Sequence, residues 1–140
     1  MILGGSFGKQ IDILRMTMDA AVFRHSVISD NIANSDTPNF KRSAVNFESE
    51  LKRALDSEKA TAIPALLTDP RHISFSASRP KDYRTVSPKR VWDYLTTSKN
   101  NGNNVDIEQE SMNLLENQLL YTALTNAVNS EFSRVNMVLK

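Results

Sequence analysis

The sequence contains no cysteine, which excludes disulfide frameworks, thiolate metal sites, cysteine nucleophiles and iron–sulfur clusters. It also has almost no net charge: 17 Lys and Arg against 16 Asp and Glu leave +1, so bulk attraction to nucleic acid or anionic lipid is not indicated. No run approaches the roughly 18 consecutive apolar residues of a membrane span. The first residues lack the basic flank and apolar run of a secretory signal. A chain of 140 residues with these absences is predicted to form one domain without a membrane span or cleaved leader.

Apolar residues repeat at heptad spacing through the first part of the chain and predict one long helix from Phe7 to Ile32. The main row consists of Phe7, Ile11, Leu14, Met18, Ala21, His25, Ile28 and Ile32. A second row lies nearly on the opposite side and consists of Ile13, Met16, Ala20, Phe23 and Val27. Because a surface helix normally has one apolar stripe, two opposed rows favour neighbours on two sides, although a simple helical hairpin remains possible.

A second long helix is predicted from Asp106 to the end of the chain. Asp106 and Gln109 have the spacing of an N-terminal capping signature. One apolar row follows, consisting of Leu114, Tyr121, Val128, Phe132, Val135 and Leu139. The predicted fold is all-α, with the long N- and C-terminal helices paired as a coiled-coil-like bundle around an irregular proline-rich middle. Segments 1–34 and 105–140 would form one axial domain, with a turn, a short helix and loops in 35–104.

The middle of the sequence has weaker patterns. A short helix is predicted from Phe47 to Leu55, and four of the five prolines follow between 64 and 88. The segment 91–95 is compatible with either a strand or a helical turn. Segment 71–90 carries six basic residues against Asp82 alone, but it has no nucleic-acid-binding motif, so a solvated loop or a protein contact is favoured.

Catalytic and metal-binding candidates are few. His25, Ser26 and Asp30 are the residue types of a hydrolytic triad, but adjacent helical residues project about 100° apart. His72 has no second ligand at a typical metal-binding spacing. The sequence therefore predicts no catalytic residue, no metal, no cofactor, no small-molecule substrate and no nucleic-acid partner.

The segment after the first helix is the most distinctive part of the sequence. Residues 30–42 read Asp-Asn-Ile-Ala-Asn-Ser-Asp-Thr-Pro-Asn-Phe-Lys-Arg, which closely resembles the motif that follows the N-terminal helix in the axial proteins of the bacterial flagellum. The matching positions are Asn31, Ile32, Ala33, Asn34, Thr37, Pro38, Asn39, Phe40 and Lys41. Asn39 stands where glycine is commonest in that family. If the turn needs a positive φ there, asparagine is the least costly substitute.

The short length and the run Gly102-Asn103-Asn104-Val105-Asp106 look like the proximal rod members of this family. The resemblance implies a non-enzymatic rod subunit in the periplasm, part of the shaft that transmits torque to the hook, exported through the flagellar type III apparatus without a cleaved signal peptide. It implies as partners other copies, sister rod proteins, a rod-base adapter and the export apparatus. The expected assembly residues are Ile11, Leu14, Met18, Ile28, Leu114, Tyr121, Val128, Phe132 and Val135.

Two other functions are compatible with the same helical pattern. A coiled-coil adaptor or export chaperone that stays in the cytoplasm would also carry long apolar helices. A small hydrolase using His25 ranks third, because no pocket or oxyanion turn is evident in the sequence.

Overall fold

The computed structural model describes residues 5–59, 69, 71, 80–97 and 102–139. In chain order the elements are α1 (Ser6–Ala33), β1 (Ser43–Asn46), α2 (Glu48–Lys59), a 3-10 turn (Tyr83–Thr85), β2 (Lys89–Trp92) and α3 (Ile107–Val138). They belong to two compact units. One contains α1, β1, β2 and α3, and the other contains α2 and the 3-10 turn.

Helix α1 has 28 residues and ends where the sequence predicts. Pro38 disfavours the helical conformation at Thr37, and the chain turns between Asn34 and Asn39. Asn34 closes the helix end, because its side-chain Nδ2 donates to the Asp30 carbonyl at 2.8 Å. The predicted bounds of this helix, Phe7 to Ile32, are confirmed to within one residue at each end.

Helix α3 has 32 residues, about 48 Å of helix, and its N-cap is Asp106 as predicted. Asp106 Oδ1 accepts hydrogen bonds from the backbone N–H groups of Glu108 at 2.9 Å and Gln109 at 3.4 Å. The carboxylates of Glu108 and Glu110 lie in the first turn, where the helix dipole favours negative charge.

The two long helices pack against each other, which confirms the predicted pairing. On α1 the buried apolar side chains are Ala20, Ala21, Val27 and Ile28. On α3 the buried side chains are polar, Glu110 and Asn117. The fully buried residues of α3 are thus polar, while its apolar residues Leu114, Leu124 and Val128 are partly buried.

The prediction of an all-α chain is wrong in one respect, because β1 and β2 form a two-stranded antiparallel sheet. Ser43 lies opposite Trp92, and Val45 lies opposite Arg90. Asp93 N–H continues the ladder by donating to the Arg42 carbonyl at 2.8 Å. Strands of four residues are too short to show an alternating pattern in the sequence, and they are more than forty positions apart in the chain. Of the alternatives for 91–95, the strand is the one adopted by Val91 and Trp92.

The second unit contains the predicted short helix, which as α2 has 12 residues. Its buried apolar residues are Phe47, Leu51, Ala54, Tyr83 and Val86. The Ser57 hydroxyl accepts a hydrogen bond from the Lys81 backbone N–H at 2.9 Å. Pro64, Pro70 and His72 lie outside the described residues.

Asn39 has a φ of 60°, so the turn does need a left-handed residue at this position, the condition under which asparagine is the least costly substitute for glycine. Replacing Asn39 with valine should destabilise the protein by about 1–2 kcal/mol, because a β-branched residue is strained in this conformation. Asn39→Gly should leave the free energy of unfolding nearly unchanged. Urea unfolding followed by circular dichroism measures both variants, and equal stability of the valine and glycine variants would contradict the assigned turn.

Candidate functional site: a polar clasp at the helix junction

Five polar side chains connect the end of α1, the following turn, β1 and the start of α3. They are Asn31, Arg42, Asn103, Asn104 and Glu110, and together they are called the polar clasp below. Four of them are buried, and Arg42 is partly buried. Buried polar groups are stable only when they are hydrogen-bonded, so each donor and acceptor of the clasp needs a partner.

Asn31 ties the last turn of α1 to β1. Its Oδ1 accepts a hydrogen bond from the backbone N–H of Ser43 at 3.1 Å, and its Nδ2 donates to the Ser43 carbonyl at 2.8 Å. The side-chain amide thus pairs with Ser43 as a neighbouring strand would. The Ser43 hydroxyl also lies 3.4 Å from Asn31 Oδ1.

Glu110 connects the first turn of α3 to the same place. Its side chain is fully buried, its Oε1 is 2.6 Å from Arg42 Nε, and its Oε2 accepts from Asn31 Nδ2 at 2.9 Å. A third donor, Asn113 Nδ2, lies 3.4 Å from Oε1. A buried carboxylate is costly unless it is paired and hydrogen-bonded, and here both oxygens are matched. The hydrogen bond between Asn31 and Glu110 joins residues that are 79 positions apart in the chain.

Asn103 holds the turn that follows α1. Its Nδ2 donates to the carbonyls of Asn34, Ser35 and Thr37 at 2.9–3.0 Å. An amide nitrogen carries two hydrogens, so at least one of them is shared. Its Oδ1 accepts from the Val105 backbone N–H at 2.6 Å. One fully buried side chain thus bonds to three carbonyls of the turn, two of which, Asn34 and Thr37, also accept backbone hydrogen bonds within the turn.

Asn104 and Lys41 connect the turn to the segment after β2. Asn104 Oδ1 accepts from the Arg42 backbone N–H at 2.5 Å, and its Nδ2 donates to the Asp93 carbonyl at 2.9 Å. Lys41 Nζ donates to the carbonyls of Gly102 at 2.9 Å and Thr96 at 3.3 Å. These bonds place the lysine of the motif inside the junction.

Arg90 fixes β2 to the end of α1. Its Nη1 forms an ion pair with Asp30 Oδ2 at 3.0 Å, and its Nε donates to the Ser43 hydroxyl at 2.8 Å. The guanidinium lies over the Trp92 ring, 4.4 Å from the ring centroid. The rings of Trp92 and Phe40 pack edge to face with their centroids 6.4 Å apart, so the aromatic residue of the motif contacts the sheet.

Asp93 has a perturbed pKa. Hydrogen bonds from the Thr96 hydroxyl and from the backbone N–H groups of Thr96 and Leu95 lower the pKa of Asp93 below its ordinary 3.8, against a desolvation contribution that raises it. Since the pKa is depressed in the folded state, these bonds contribute stability above pH 3.8, and that contribution is lost as the pH falls through the folded value.

The structure distributes the other predicted motif residues around the clasp. Ile32 is partly buried, while Ala33, Thr37 and Pro38 are exposed. The Thr37 hydroxyl donates to Asn34 Oδ1 at 3.3 Å. The motif therefore contributes Asn31 to the clasp and also forms the exposed surface of the turn.

The predicted assembly residues differ in exposure. Ile28 is buried, Tyr121 and Phe132 are exposed, and the partly buried members are Ile11, Leu14, Met18, Leu114, Val128 and Val135. His25 is also exposed. In the part of the chain that the structure describes, no three His, Asp or Glu side chains are placed to hold a metal ion. None of the helices among those residues is long and apolar enough to cross a membrane.

Sequence reasoning did not assign the roles of Asn103, Asn104 and Glu110. Glu110 and Asn117 are seven residues apart, which places them on the same face of the helix, and both are buried. That spacing was the signal available in the sequence for a polar row facing α1.

The sequence of this chain is similar to those of known proteins. A family model described as flagella basal body rod protein matches residues 11–41, which cover most of α1 and the motif. The flagellar basal body rod protein FlgB of Borrelia hermsii is 42% identical over 134 residues, covering 96% of this chain and 98% of the relative. FlgB of Borreliella burgdorferi has the same identity and coverage, and FlgB of Bacillus subtilis is 34% identical over 133 residues, with 95% of each chain covered.

The structure is a pair of long terminal helices joined by a buried polar junction, and the comparisons place it among structural proteins of the flagellum. The chain belongs to the FlgB family of flagellar basal body rod proteins. It is a structural subunit of the basal-body rod and acts in motility, not as an enzyme. The adaptor or chaperone and the hydrolase are set aside for that reason.

The clasp should be a main source of stability at the junction. Glu110→Ala is expected to lower the free energy of unfolding by about 3 kcal/mol, because Arg42 and Asn31 lose a buried partner. Glu110→Gln, which keeps the shape and removes the charge, should have a smaller effect.

Glu116→Ala is the matched control for this test, because Glu116 is an exposed glutamate on the same helix. It should change the free energy of unfolding by less than about 0.5 kcal/mol in the same urea titration. Similar losses for the two alanine variants would mean that the clasp does not stabilise the junction.

Proposed function

We propose that the chain builds the proximal part of the rod, the periplasmic shaft that transmits torque from the motor to the hook. In this proposal, segments 1–34 and 105–140 act as the axial domain, and 35–104 supply the junction and the loops. The observation that carries it is a helix pair that is tied together at one end by the clasp and is still strongly apolar on its outer surface.

That apolar surface lies on α3, on the side away from α1. Four exposed apolar residues form it, and they are called the outer stripe: Met112, Leu115, Leu119 and Ala123. At about 100° per residue they lie about 160–240° around the helix from buried Asn117. Leu119 is 63% exposed and Met112 is 61% exposed. A contiguous apolar row of this kind is typical of a surface that is covered in an assembly.

Transmission of torque requires a stiff tube, and stiffness comes from many close contacts between helices. The clasp contributes within one subunit, because Glu110 on α3 is bonded to Asn31 on α1 and to Arg42 beside β1. A twisting load on one helix would therefore pass to the other through short, buried, charge-assisted bonds.

The proposed partners are further copies of the chain, sister rod proteins, a rod-base adapter and the export apparatus. The proposed route to the periplasm is unfolded passage through the flagellar export apparatus, without a cleaved signal peptide. The lack of cysteine supports this route, because an unfolded chain that enters an oxidising compartment cannot form wrong disulfides.

Electron cryotomography of flagellar motors in a strain lacking the gene tests the proposed position. We expect the rod, hook and filament to be missing above an intact membrane ring, and the complemented strain to regain them. An unchanged rod in the deletion strain would contradict the proposal.

The outer stripe should be needed for assembly and not for folding. Leu119→Asp places a charge on a surface that is exposed in the isolated chain, so helical content and urea unfolding should stay near those of the parent. Swimming should fall to the level of the deletion strain, because the charge would be buried on assembly.

Asn136→Asp is the matched control, since it introduces the same charge at an exposed position of α3 outside the stripe. It should swim normally in soft agar. Normal swimming by the Leu119 variant, with equal expression, would contradict a role for the stripe.

A further inference from the structure

Strands β1 and β2 lie where the chain leaves and re-enters the unit that contains the two long helices. This unit, called the helical unit below, consists of residues 1–46 and 87–140, and the second unit, residues 47–86, is inserted between them. β1 ends at Asn46, directly before the insertion, and β2 begins at Lys89, shortly after it. The two strands therefore form the stem that connects the second unit to the rest of the chain.

The register of the stem brings its two ends close together. Asp93 N–H donates to the Arg42 carbonyl, so these two residues are a hydrogen-bonded pair of the ladder. Because hydrogen-bonded and non-hydrogen-bonded pairs alternate along antiparallel strands, Asn46 and Lys89 are also a hydrogen-bonded pair, with Cα atoms about 5.5 Å apart. Such a pair flanks a two-residue hairpin turn. Two residues would thus be enough to join β1 to β2 in place of residues 47–88.

The clasp contacts described above all lie within the helical unit. Asn31 on α1 bonds to Ser43 on β1 and to Glu110 on α3. The stem is fixed to the same helix end by Arg90, which pairs with Asp30 and donates to the Ser43 hydroxyl. These contacts connect the stem to both long helices without a partner from the second unit.

The second unit has an apolar core of its own. Phe47, Leu51 and Ala54 are buried at spacings of four and three residues, which place them on one helical face. Tyr83 and Val86 are buried at the 3-10 turn, and α2 contacts this turn. The second unit therefore has the apolar burial that a separately folding segment requires.

We infer that residues 47–88 are an insert that folds separately, and that the helical unit folds and enters the rod without it. Closing the stem does not depend on a particular insert, because the entropic cost of loop closure changes only slowly with loop length. The statement about entry into the rod rests on the proposed function, whereas the statement about folding does not.

Amide hydrogen exchange of the full chain tests separate folding. Leu51→Asp places a charge in the core of the second unit, so the amides of α2 should lose their protection. The Ser43 and Asp93 amides, which report on the clasp and the stem, should exchange within about threefold of their parent rates. Loss of protection at Ser43 and Asp93 in this variant would overturn the inference.

Val27→Asp is the matched control, because Val27 is a buried apolar residue of α1 in the helical unit. It introduces the same charge and should raise the exchange rates of the Ser43 and Asp93 amides by about tenfold or more. The amides of α2 should keep their parent protection. Their loss in this control would mean that the insert depends on the helical unit, which would also overturn the inference.

A shortened chain keeps the inference testable if the Leu51→Asp chain is degraded in cells. In this chain the dipeptide Asn-Gly, which is favoured in type I′ hairpin turns, replaces residues 47–88. The Ser43 and Asp93 amides should stay protected as in the parent. A chain with Asn-Val in the same place is the control and should be less protected at Asp93, because valine is strained at the positive φ of this turn. Unprotected Ser43 and Asp93 amides in the Asn-Gly chain would overturn the inference.

Entry into the rod is measured as the amount of each chain in basal bodies isolated from a strain that lacks the parent gene. The Asn-Gly chain should be present in an amount close to that of the parent, and the Val27→Asp chain should be absent. Absence of the Asn-Gly chain, with the parent present, would overturn the inference and leave the proposed function standing. Absence of the parent itself would contradict the proposed function, and hydrogen exchange would still decide whether the insert folds separately.

Discussion

The junction of this rod subunit depends on one buried carboxylate. Glu110 is fully buried at the start of α3, and its two oxygens are bonded to Arg42 and Asn31. A buried charge with an incomplete set of partners would be strongly destabilising, so this contact forms only when the end of α1, the strand β1 and the start of α3 are all in place. These three elements include the ends of the two long helices, and the motif lies between the first two of them. One electrostatic requirement thus couples the local turn to the long-range pairing of the chain ends.

The junction also explains why the motif has its particular residue types. Asn31 offers a donor and an acceptor that pair with the backbone of Ser43, which no apolar residue could do. Asn39 occupies a left-handed conformation that favours asparagine or glycine, and Gly102 approaches it so closely that an added Cβ would lie 2.8 Å from Asn39 Oδ1. The side-chain amide of Asn103 donates hydrogen bonds to the carbonyls of this turn. Hydrogen bonds between polar side chains and the backbone therefore hold the junction together.

The helices and the motif turn were predictable because their causes are local. Heptad rows, the Asp106 cap and the effect of Pro38 all act within a few residues, and the observed bounds of α1 and α3 agree with them. The sheet was missed because β1 and β2 are short and are paired across a large separation in the chain. The family resemblance came from the motif itself, and the relatives across nearly the whole chain confirm it.

The sequence by itself determined where the long helices begin and end, that a turn follows α1, and to which family the chain belongs. The tertiary structure decided which polar residues are buried together. Asn103, Asn104 and Glu110 are ordinary loop and helix-start residues in the sequence, and they became the clasp only when residues far apart in the chain met. It also decided which side of α3 stays exposed, because a heptad row does not state which of its faces a partner helix covers. Steric and capping effects act between residues that are close in the sequence, whereas burial depends on how the whole chain packs.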